Sequence, residues 1–273
     1  MPYAARSRLY TLAVLPDDRS DLLRLLSDAF AQGSIQPIFQ PILALQEQAV
    51  AGFEILPRWH HPDHGELSSV AFLQHLDRHG LLDDLAGPLL TAALADAKHS
   101  EGDFFVAYNL SASQLERSGY ADRMAAIAAD TGFPLERIHL EISECVVAKA
   151  NARVFASLRE FAAAGIRLGI DDYGAAYSKL AHSNLTQLPE FHFDALKVDS
   201  ELVRDLDTSL RKRHIFEHLM HIASARGMRL IANGVETVGQ ESALRKLGCR
   251  FVQGLRYLAG ESAQSHRVAW GLG

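Results

Sequence analysis

The feature of this sequence that most limits its fold is an alternation of eight short β-rich runs with longer helical segments. Helical spacing fills most of the gaps between the runs, and two such helices, 151–165 and 237–248, end on glycine. Runs separated by helices predict parallel strand pairing through βα crossovers. We therefore expect an α/β fold, a TIM-like (β/α)8 barrel. The runs span residues 34–45, 49–59, 103–111, 137–144, 166–174, 194–200, 228–236 and 249–258.

The domain organisation follows from length and from the absence of a linker. The chain has 273 residues, and barrels of this type commonly run to about 250. No Pro- or Ser-rich linker, low-complexity tract or sequence repeat divides the sequence. We assign residues 1–20 to an N-terminal extension and 21–273 to the barrel. The first run carries Pro37 and Pro41, so we expect an atypical, edge-like first strand.

Composition excludes several classes of protein. The net charge of -6 argues against a broad nucleic-acid-binding surface, which is usually basic. Cys145 and Cys249 are too few for a disulfide framework, which favours a reducing compartment. No apolar run reaches the roughly 18 residues of a membrane span, and the apolar stretch near the N-terminus is short for a signal peptide. We expect a soluble cytoplasmic protein.

Polar residues of one chemical kind end the successive β-rich runs. In a barrel these ends converge on one face, where barrel enzymes place their active sites. Carboxylate and amide oxygens gathered there suit Mg²⁺ or Mn²⁺, and one or two such ions would neutralise the adjacent carboxylates of Asp171 and Asp172. The residues are Glu54, Asn109, Glu141, Asp171, Asp172, Lys197, Asn233, Glu236 and Gln253.

A structural interpretation of these aspartates competes with the functional one. An Asp after a strand is most often a helix cap or a turn residue, and for "IDDYG" taken alone we favour that interpretation. Several strand candidates in a row with the same polar ending are harder to explain by caps. The set as a whole therefore supports a metal site.

Several motifs, in order along the chain, resemble those of the EAL domain, the bacterial cyclic-di-GMP phosphodiesterase module. The resemblance runs from about Phe39 to Gln253, and Ile55 stands in the signature where the family has alanine. It implies hydrolysis of cyclic-di-GMP to linear pGpG, a metal-dependent mechanism and a homodimer. The motifs are "FQPIL", "FEILPRWHHPDHG", "YNLSASQL", "LEISE", "DDYGAAYSKL", "LKVD", "ANGVET" and "VQG".

The resemblance also implies roles for individual residues. Lys197 matches the lysine that orients the attacking water, and Glu144 a residue that steadies the loop after Asp172. Glu236 and Gln253 match residues that support the second metal and the water, while Gln40 and Arg58 match positions that contact the guanine and phosphate of the ligand. The positions for the first ion are Glu54, Asn109, Glu141 and Asp171, and those for the second are Asp171, Asp172 and Asn233.

Three departures from the family pattern affect the expected activity. Asn233 replaces a glutamate ligand, which removes a charge and one methylene of reach, so we expect a weaker second metal site. A stretch within 183–193 is longer than the pattern, and we expect it to bulge outward. Ala175 and Ala176 replace Thr-Gly, which would stiffen the loop.

Two functions therefore stay open: a phosphodiesterase with reduced activity, and a degenerate, inactive domain that binds cyclic-di-GMP or a protein partner.

Two groups of histidines are more simply explained as structural residues than as metal ligands. His60, His61 and His64 lie on a turn that is a poor zinc cage. The second group, His214, His218 and His221, has helical spacing, which indicates a helix surface or a dimer contact.

Overall fold

A closed barrel of eight strands forms the centre of the protein in a computed structural model, which describes residues 15–100, 102–174 and 191–257. The order around the barrel is β1-β2-β4-β5-β6-β7-β8-β9, and β1 closes the ring by pairing with both β2 and β9. All eight predicted strands are present. The strands are β1 (Ile35–Ala44), β2 (Ala49–His61), β3 (Gly65–Leu67), β4 (Phe105–Leu110), β5 (Ile138–Ser143), β6 (Arg167–Tyr173), β7 (Ala195–Val198), β8 (Arg229–Ala232) and β9 (Phe251–Val252).

Strand β1 departs from the parallel pairing that the alternation predicted. It runs antiparallel to both β2 and β9, whereas the pairs from β2–β4 round to β8–β9 are parallel. The reason is local: a short turn joins β1 to β2, without the helix that a parallel crossover needs. Among the described residues β1 meets β9 only at Leu43 and Ala44. Pro37 and Pro41 therefore lie in an edge-like part of the strand, as predicted.

Helices surround the barrel, and their ends follow the expected capping chemistry. The side chain of Asn151 caps α7, and Thr237 forms a capping box with Gln240 at the start of α10. Gly248 ends α10 with a φ of +79°, as predicted. The helices are α1 (Arg19–Ala31), α2 (Ser69–Arg78), α3 (Leu82–Lys98), α4 (Ala112–Leu115), α5 (Tyr120–Thr131), α6 (Glu144–Ala148), α7 (Ala152–Ala163), α8 (Ser200–Val203), α9 (Leu210–Ala225) and α10 (Val238–Leu247).

The barrel interior has an apolar layer beneath a polar one. Phe105 and Ala107 precede Asn109 at intervals of two residues on β4, and Ala195 precedes Lys197 on β7. Because side chains two apart on a strand share a face, the same interior face carries apolar residues first and polar residues at the carboxyl ends. A small buried cluster of Ile42, Phe105, Ala107, Ala195 and Ile231 forms the apolar layer.

The remaining core lies between the outer face of the barrel and the helices. Leu140, Leu168 and Leu196 on neighbouring strands are fully buried there, together with Leu158 and Phe161 of α7. No helix in the described ranges is long and apolar enough to cross a membrane. Helix α1 begins at Arg19, and the proposed boundary at residue 20 stays a prediction.

Candidate active site

Five polar side chains from different strand ends are buried together at the carboxyl end of the barrel. Glu54 lies on β2, Glu141 on β5, Asp171 on β6 and Lys197 on β7, while Gln253 directly follows β9. Each exposes 8% of its surface or less. The sequence predicted this group, and the barrel brings it together from positions up to 199 residues apart.

Lys197 occupies the centre of the group. Its ammonium nitrogen donates hydrogen bonds to Oε2 of Glu54 at 2.6 Å and to Oε2 of Glu141 at 2.8 Å. Oδ1 of Asp171 lies 3.9 Å from the same nitrogen. One buried cation therefore faces three carboxylates, and the group retains an excess of negative charge when all four are ionised.

Glu54 is held by two further donors. The side-chain amide of Asn109 donates to Oε1 at 2.6 Å, and that of Gln253 donates to Oε2 at 2.7 Å. The other amide atom of Gln253, Oε1, is buried without a hydrogen-bond partner within the described ranges. A buried acceptor without a partner has unused capacity for a cation or a water donor.

The acidic side chains of the group titrate differently. Burial opposes ionisation of Glu54, but Lys197 and the two amides outweigh it and hold the pKa of Glu54 below its ordinary value. Burial and the neighbouring carboxylates raise the pKa of Glu141 to about 8 against the opposing effect of Lys197. Burial also raises the pKa of Asp171 to about 6. Such displaced pKa values are typical of functional sites.

The side chains of the two adjacent aspartates lie in different environments. Asp171 is buried in the group, whereas Asp172 is exposed and has a φ of +55°, a left-handed conformation that aspartate tolerates better than most residues. The pairing of β6 with β7 is interrupted between Ile170 and Tyr173, and the amide nitrogen of Asp172 donates to Oδ1 of Asp171 at 2.7 Å. The irregular strand end thus separates the two carboxylates.

The loop after β8 carries the departure at Asn233. Asn233 is half-buried and Glu236 is exposed. The backbone N–H of Asn233 donates a hydrogen bond to the carbonyl oxygen of Val198 at 3.1 Å. Sequence reasoning missed Gln240, whose Oε1 accepts from the amide nitrogens of Glu236 and Thr237 at 2.7 and 2.9 Å. The T-x-x-Q pattern of a capping box was the available signal.

Three predicted residues lie around the buried group. Glu144 begins α6 and accepts a hydrogen bond from the amide of Gly174 at 3.0 Å, which fixes the end of β6. Gln40 pairs in register with Glu54 across β1 and β2 and is half-buried. Nε of Arg58 forms an ion pair with Oε1 of Glu66 at 3.5 Å but makes no hydrogen bond in the described part of the chain.

Other sequence expectations have mixed outcomes. Ala175, Ala176 and residues 183–190 lie outside the described residues. Of the described residues 191–193, which lead into β7, His192 is exposed and Phe193 is 3% exposed, and the expected outward bulge stays a prediction. Among the described residues, some groups of three side chains bring their metal-ligand atoms close together. None of these groups contains a histidine of the 60–64 turn or of the 214–221 helix.

The donor set fits a divalent cation. Ligand atoms of Glu54, Glu141 and Asp171 lie within 4.8 Å of one another and are buried. Hard carboxylate oxygens, the excess negative charge and the unpartnered Oε1 of Gln253 are the chemistry that Mg²⁺ and Mn²⁺ bind.

The chain is similar to curated proteins and to solved structures. Cyclic di-GMP phosphodiesterase NbdA of Pseudomonas aeruginosa is 32% identical over 233 residues, which are 84% of this chain and 29% of that protein. A PaMucR phosphodiesterase complex with c-di-GMP has a TM-score of 0.75 at 26% identity and covers 86% of this chain and 94% of that one.

A second solved structure, the Klebsiella pneumoniae BlrP1 complex with manganese and cyclic-di-GMP, has a TM-score of 0.70 at 27% identity. The match covers 82% of this chain and 55% of that chain. This chain spans about a third of the length of the first curated relatives that it matches. The family model described as "EAL domain" matches residues 23–259, and the chain belongs to the EAL domain family.

Proposed function

We propose that this chain is a metal-dependent cyclic-di-GMP phosphodiesterase that opens one phosphodiester bond to give linear pGpG. The observation that carries the proposal is the buried Lys197 among Glu54, Glu141 and Asp171. NbdA, a cyclic di-GMP phosphodiesterase by name, and the PaMucR complex support the choice of substrate. A cytoplasmic location fits two cysteines that are both free thiols.

Mg²⁺ or Mn²⁺ is the cofactor in this proposal. Glu54, Glu141 and Asp171, together with Asn109, would hold the first ion. A second ion would be held by Asp171, Asp172 and Asn233. When bound, such ions polarise the phosphate and lower the pKa of water at the site. The BlrP1 complex contains manganese, which supports this type of ion.

Residues of the chain itself place the reacting groups. Lys197 would orient the attacking water and stabilise the negative charge that develops on the phosphate oxygens, because its ammonium group is buried and points into the pocket. Gln253 would hold Glu54 through its amide and offer its free Oε1 to the water. Glu236 would support the same region from the loop after β8.

Binding and positioning of the nucleotide would involve residues at the rim. Nε of Arg58 has only a 3.5 Å ion pair with Glu66 and no hydrogen bond among the described residues, and a phosphate oxygen is a fitting acceptor for this guanidinium. Gln40 would contact the guanine. Glu144 would keep Gly174, and with it the end of β6, in place.

Asn233 is the reason that we expect slow hydrolysis of cyclic-di-GMP. An amide keeps an oxygen donor but lacks the charge of a carboxylate, so it holds a divalent cation less strongly. Glu54, Glu141, Asp171 and Asp172 supply four formal negative charges and Lys197 one positive charge, so these side chains carry -3 against the +4 of two divalent ions, and the phosphate of the ligand would supply the remaining negative charge. The same residue is the observation behind the alternative, a receptor that binds cyclic-di-GMP or a protein partner without hydrolysis.

The proposal is tested by incubating the purified protein with cyclic-di-GMP and Mn²⁺ and following the nucleotides by chromatography. We expect pGpG to accumulate with Mn²⁺ and not with EDTA. A Glu54→Gln variant should form none, whereas a Glu160→Gln variant, which changes an exposed carboxylate on α7 far from the cluster, should behave as the parent does. Intact cyclic-di-GMP, together with calorimetric binding of the nucleotide, would support the receptor instead.

A further inference from the structure

We propose that Asp17, His75 and His79 form a separate binding site for a zinc-class divalent cation. The site lies between the segment that precedes α1 and the end of α2, and shares no residue with the carboxylate pocket. His75 lies in the last turn of α2 and His79 is the residue that caps its carboxyl end, and the centroids of the two rings lie 4.5 Å apart. The ligand atoms of the three side chains lie within 4.8 Å of one another.

Each ring is placed against backbone carbonyl oxygens. Nε2 of His75 lies 2.9 Å from the carbonyl oxygen of Pro16. Nδ1 of His79 lies 2.9 Å from the carbonyl oxygen of His75, and Nε2 of His79 lies 2.9 Å from that of Asp17. Carbonyl oxygens are acceptors only, so each of these three contacts needs a cation or a proton between its two atoms.

Counting protons shows that one contact lacks its donor. A neutral imidazole carries one N–H, and the two rings together therefore supply two protons for three contacts. His79 faces a carbonyl oxygen from both ring nitrogens, and whichever tautomer it adopts, one nitrogen presents its lone pair to another lone pair. A cation at Nε2 of His79 removes this repulsion and leaves the Nδ1–H to bond with the carbonyl of His75.

That arrangement is the one metal-binding histidines adopt. A ligating imidazole almost always donates its other ring N–H to a carboxylate or a backbone carbonyl, which fixes the tautomer and the ring orientation. The contact from Nδ1 of His79 to the carbonyl oxygen of His75 already supplies this support. The backbone carbonyl oxygens of Pro16 and Asp17 lie beside the two Nε2 atoms and are further candidate ligands for the metal ion.

The ligand types select the class of metal. Two imidazoles and one carboxylate suit zinc and similar transition ions, which bind such nitrogen and oxygen atoms at about 2.0–2.2 Å. Oδ1 of Asp17 lies 4.0 Å from Nε2 of His75, and the Asp17 side chain is 95% exposed, so it is free to swing closer. His75 is buried and His79 half-buried, which leaves the ion open to solvent on the Asp17 side.

A bound ion would connect two parts of the chain. It would attach Pro16 and Asp17, the residues that lead into α1, to the end of α2. We expect amide hydrogen exchange across residues 17–20 to slow when Zn²⁺ is added.

The experiment is a Zn²⁺ titration of the full chain against a chromophoric chelator, with millimolar Mg²⁺ present to occupy the carboxylate pocket. We expect one tight site, and at least tenfold weaker binding in Asp17→Asn and in His79→Ala, the scale on which lost metal contacts act. Asp17→Asn changes an exposed side chain and keeps the variant folded. Co²⁺ in place of Zn²⁺ should give a visible absorption band that both variants lose.

Two controls separate this site from others. His218→Ala alters an exposed histidine pair with the same spacing on α9, His214 and His218, and should leave the affinity unchanged. Glu54→Gln, which disables the carboxylate pocket, should leave it unchanged as well. Equal Zn²⁺ affinity in Asp17→Asn, His79→Ala and the parent would overturn the proposal. The proposal would also be overturned if the protein did not bind Zn²⁺ and nuclear magnetic resonance showed that both ring nitrogens of His79 are protonated.

Discussion

The ammonium nitrogen of Lys197 lies 2.6 Å from a carboxylate oxygen of Glu54, and this contact crosses the inside of the barrel. The two residues are 143 positions apart and sit on β7 and β2, strands that are not neighbours in the sheet. Both side chains are nearly inaccessible to solvent. The groups assigned to chemistry are therefore also part of what holds the barrel interior together.

Replacing Lys197 by Met should destabilise the metal-free protein. Removal of one partner leaves buried carboxylates without compensation, which typically costs about 3–5 kcal/mol in the free energy of unfolding. Mn²⁺ should restore part of this loss, because a bound cation replaces the lost charge. Urea denaturation in EDTA and in Mn²⁺ measures both effects. Lys246→Met, at an exposed position on α10, is the matched control, and an equal small loss in both variants would contradict the account.

Glu54→Gln should weaken binding of Mg²⁺ by at least about tenfold, since a neutral amide attracts a cation far less than a carboxylate does in a buried site. Glu54 also accepts hydrogen bonds from Asn109, Lys197 and Gln253, so the substitution disturbs its neighbours too. Calorimetry of the variant and the parent makes the comparison. Should both bind Mg²⁺ equally, Glu54 is not a ligand.

Much of this arrangement was predictable from sequence, because strand ends in a barrel converge whatever the details of the loops. The polar residues that end the β-rich runs, such as Glu141 and Asp171, could be placed on one face by that rule alone. The end of α10 at Gly248 was likewise predicted from local chemistry.

Other features depend on tertiary contacts that no local pattern encodes. The direction of β1 follows from its hairpin with β2, and the turn that joins them carries no helical signal. The central position of Lys197 results from the closure of the whole barrel. Phe193 follows a stretch that differs from the family pattern, and only packing against the core shows that it is buried.

His139 should lower stability in mild acid, against the opposite effect of the raised pKa values of Glu141 and Asp171. Burial, with Arg229 and Arg167 nearby, lowers the pKa of His139 to about 3, against about 6.5 for an unfolded histidine. The folded protein thus binds fewer protons than the unfolded chain between these values. The contribution is complete above pH 6.5 and is lost as the pH falls.

Between pH 7.5 and 5.0 this one group should cost up to about 2 kcal/mol. Urea denaturation of the parent and of His139→Gln at both pH values isolates the effect, because the groups common to both proteins cancel: on going from pH 7.5 to 5.0 the free energy of unfolding of the parent should change by about 2 kcal/mol less favourably than that of the variant. His221→Gln, at an exposed position on α9, should behave as the parent does. Identical pH dependence in parent and His139→Gln would count against the assignment.

We also expect the protein to form a homodimer. The prediction rests on the family resemblance and on the unusual stretch 183–193, which follows the paired aspartates in sequence. Light scattering at tens of micromolar should give twice the mass of the 30.0 kDa chain. A strictly monomeric mass at that concentration would argue against it.

The central claim is that the pocket is a hydrolytic site weakened at one ligand, Asn233, and the rate of pGpG formation by Asn233→Glu tests it most directly. The substitution restores charge and reach for the second ion, so turnover in Mn²⁺ should rise by about one to three powers of ten. Binding of cyclic-di-GMP in Ca²⁺, which suppresses hydrolysis, should change much less. Adding Lys197→Met to the variant should abolish the gain. An unchanged rate in Asn233→Glu, with metal and nucleotide both shown to be bound, would contradict the claim and favour a receptor.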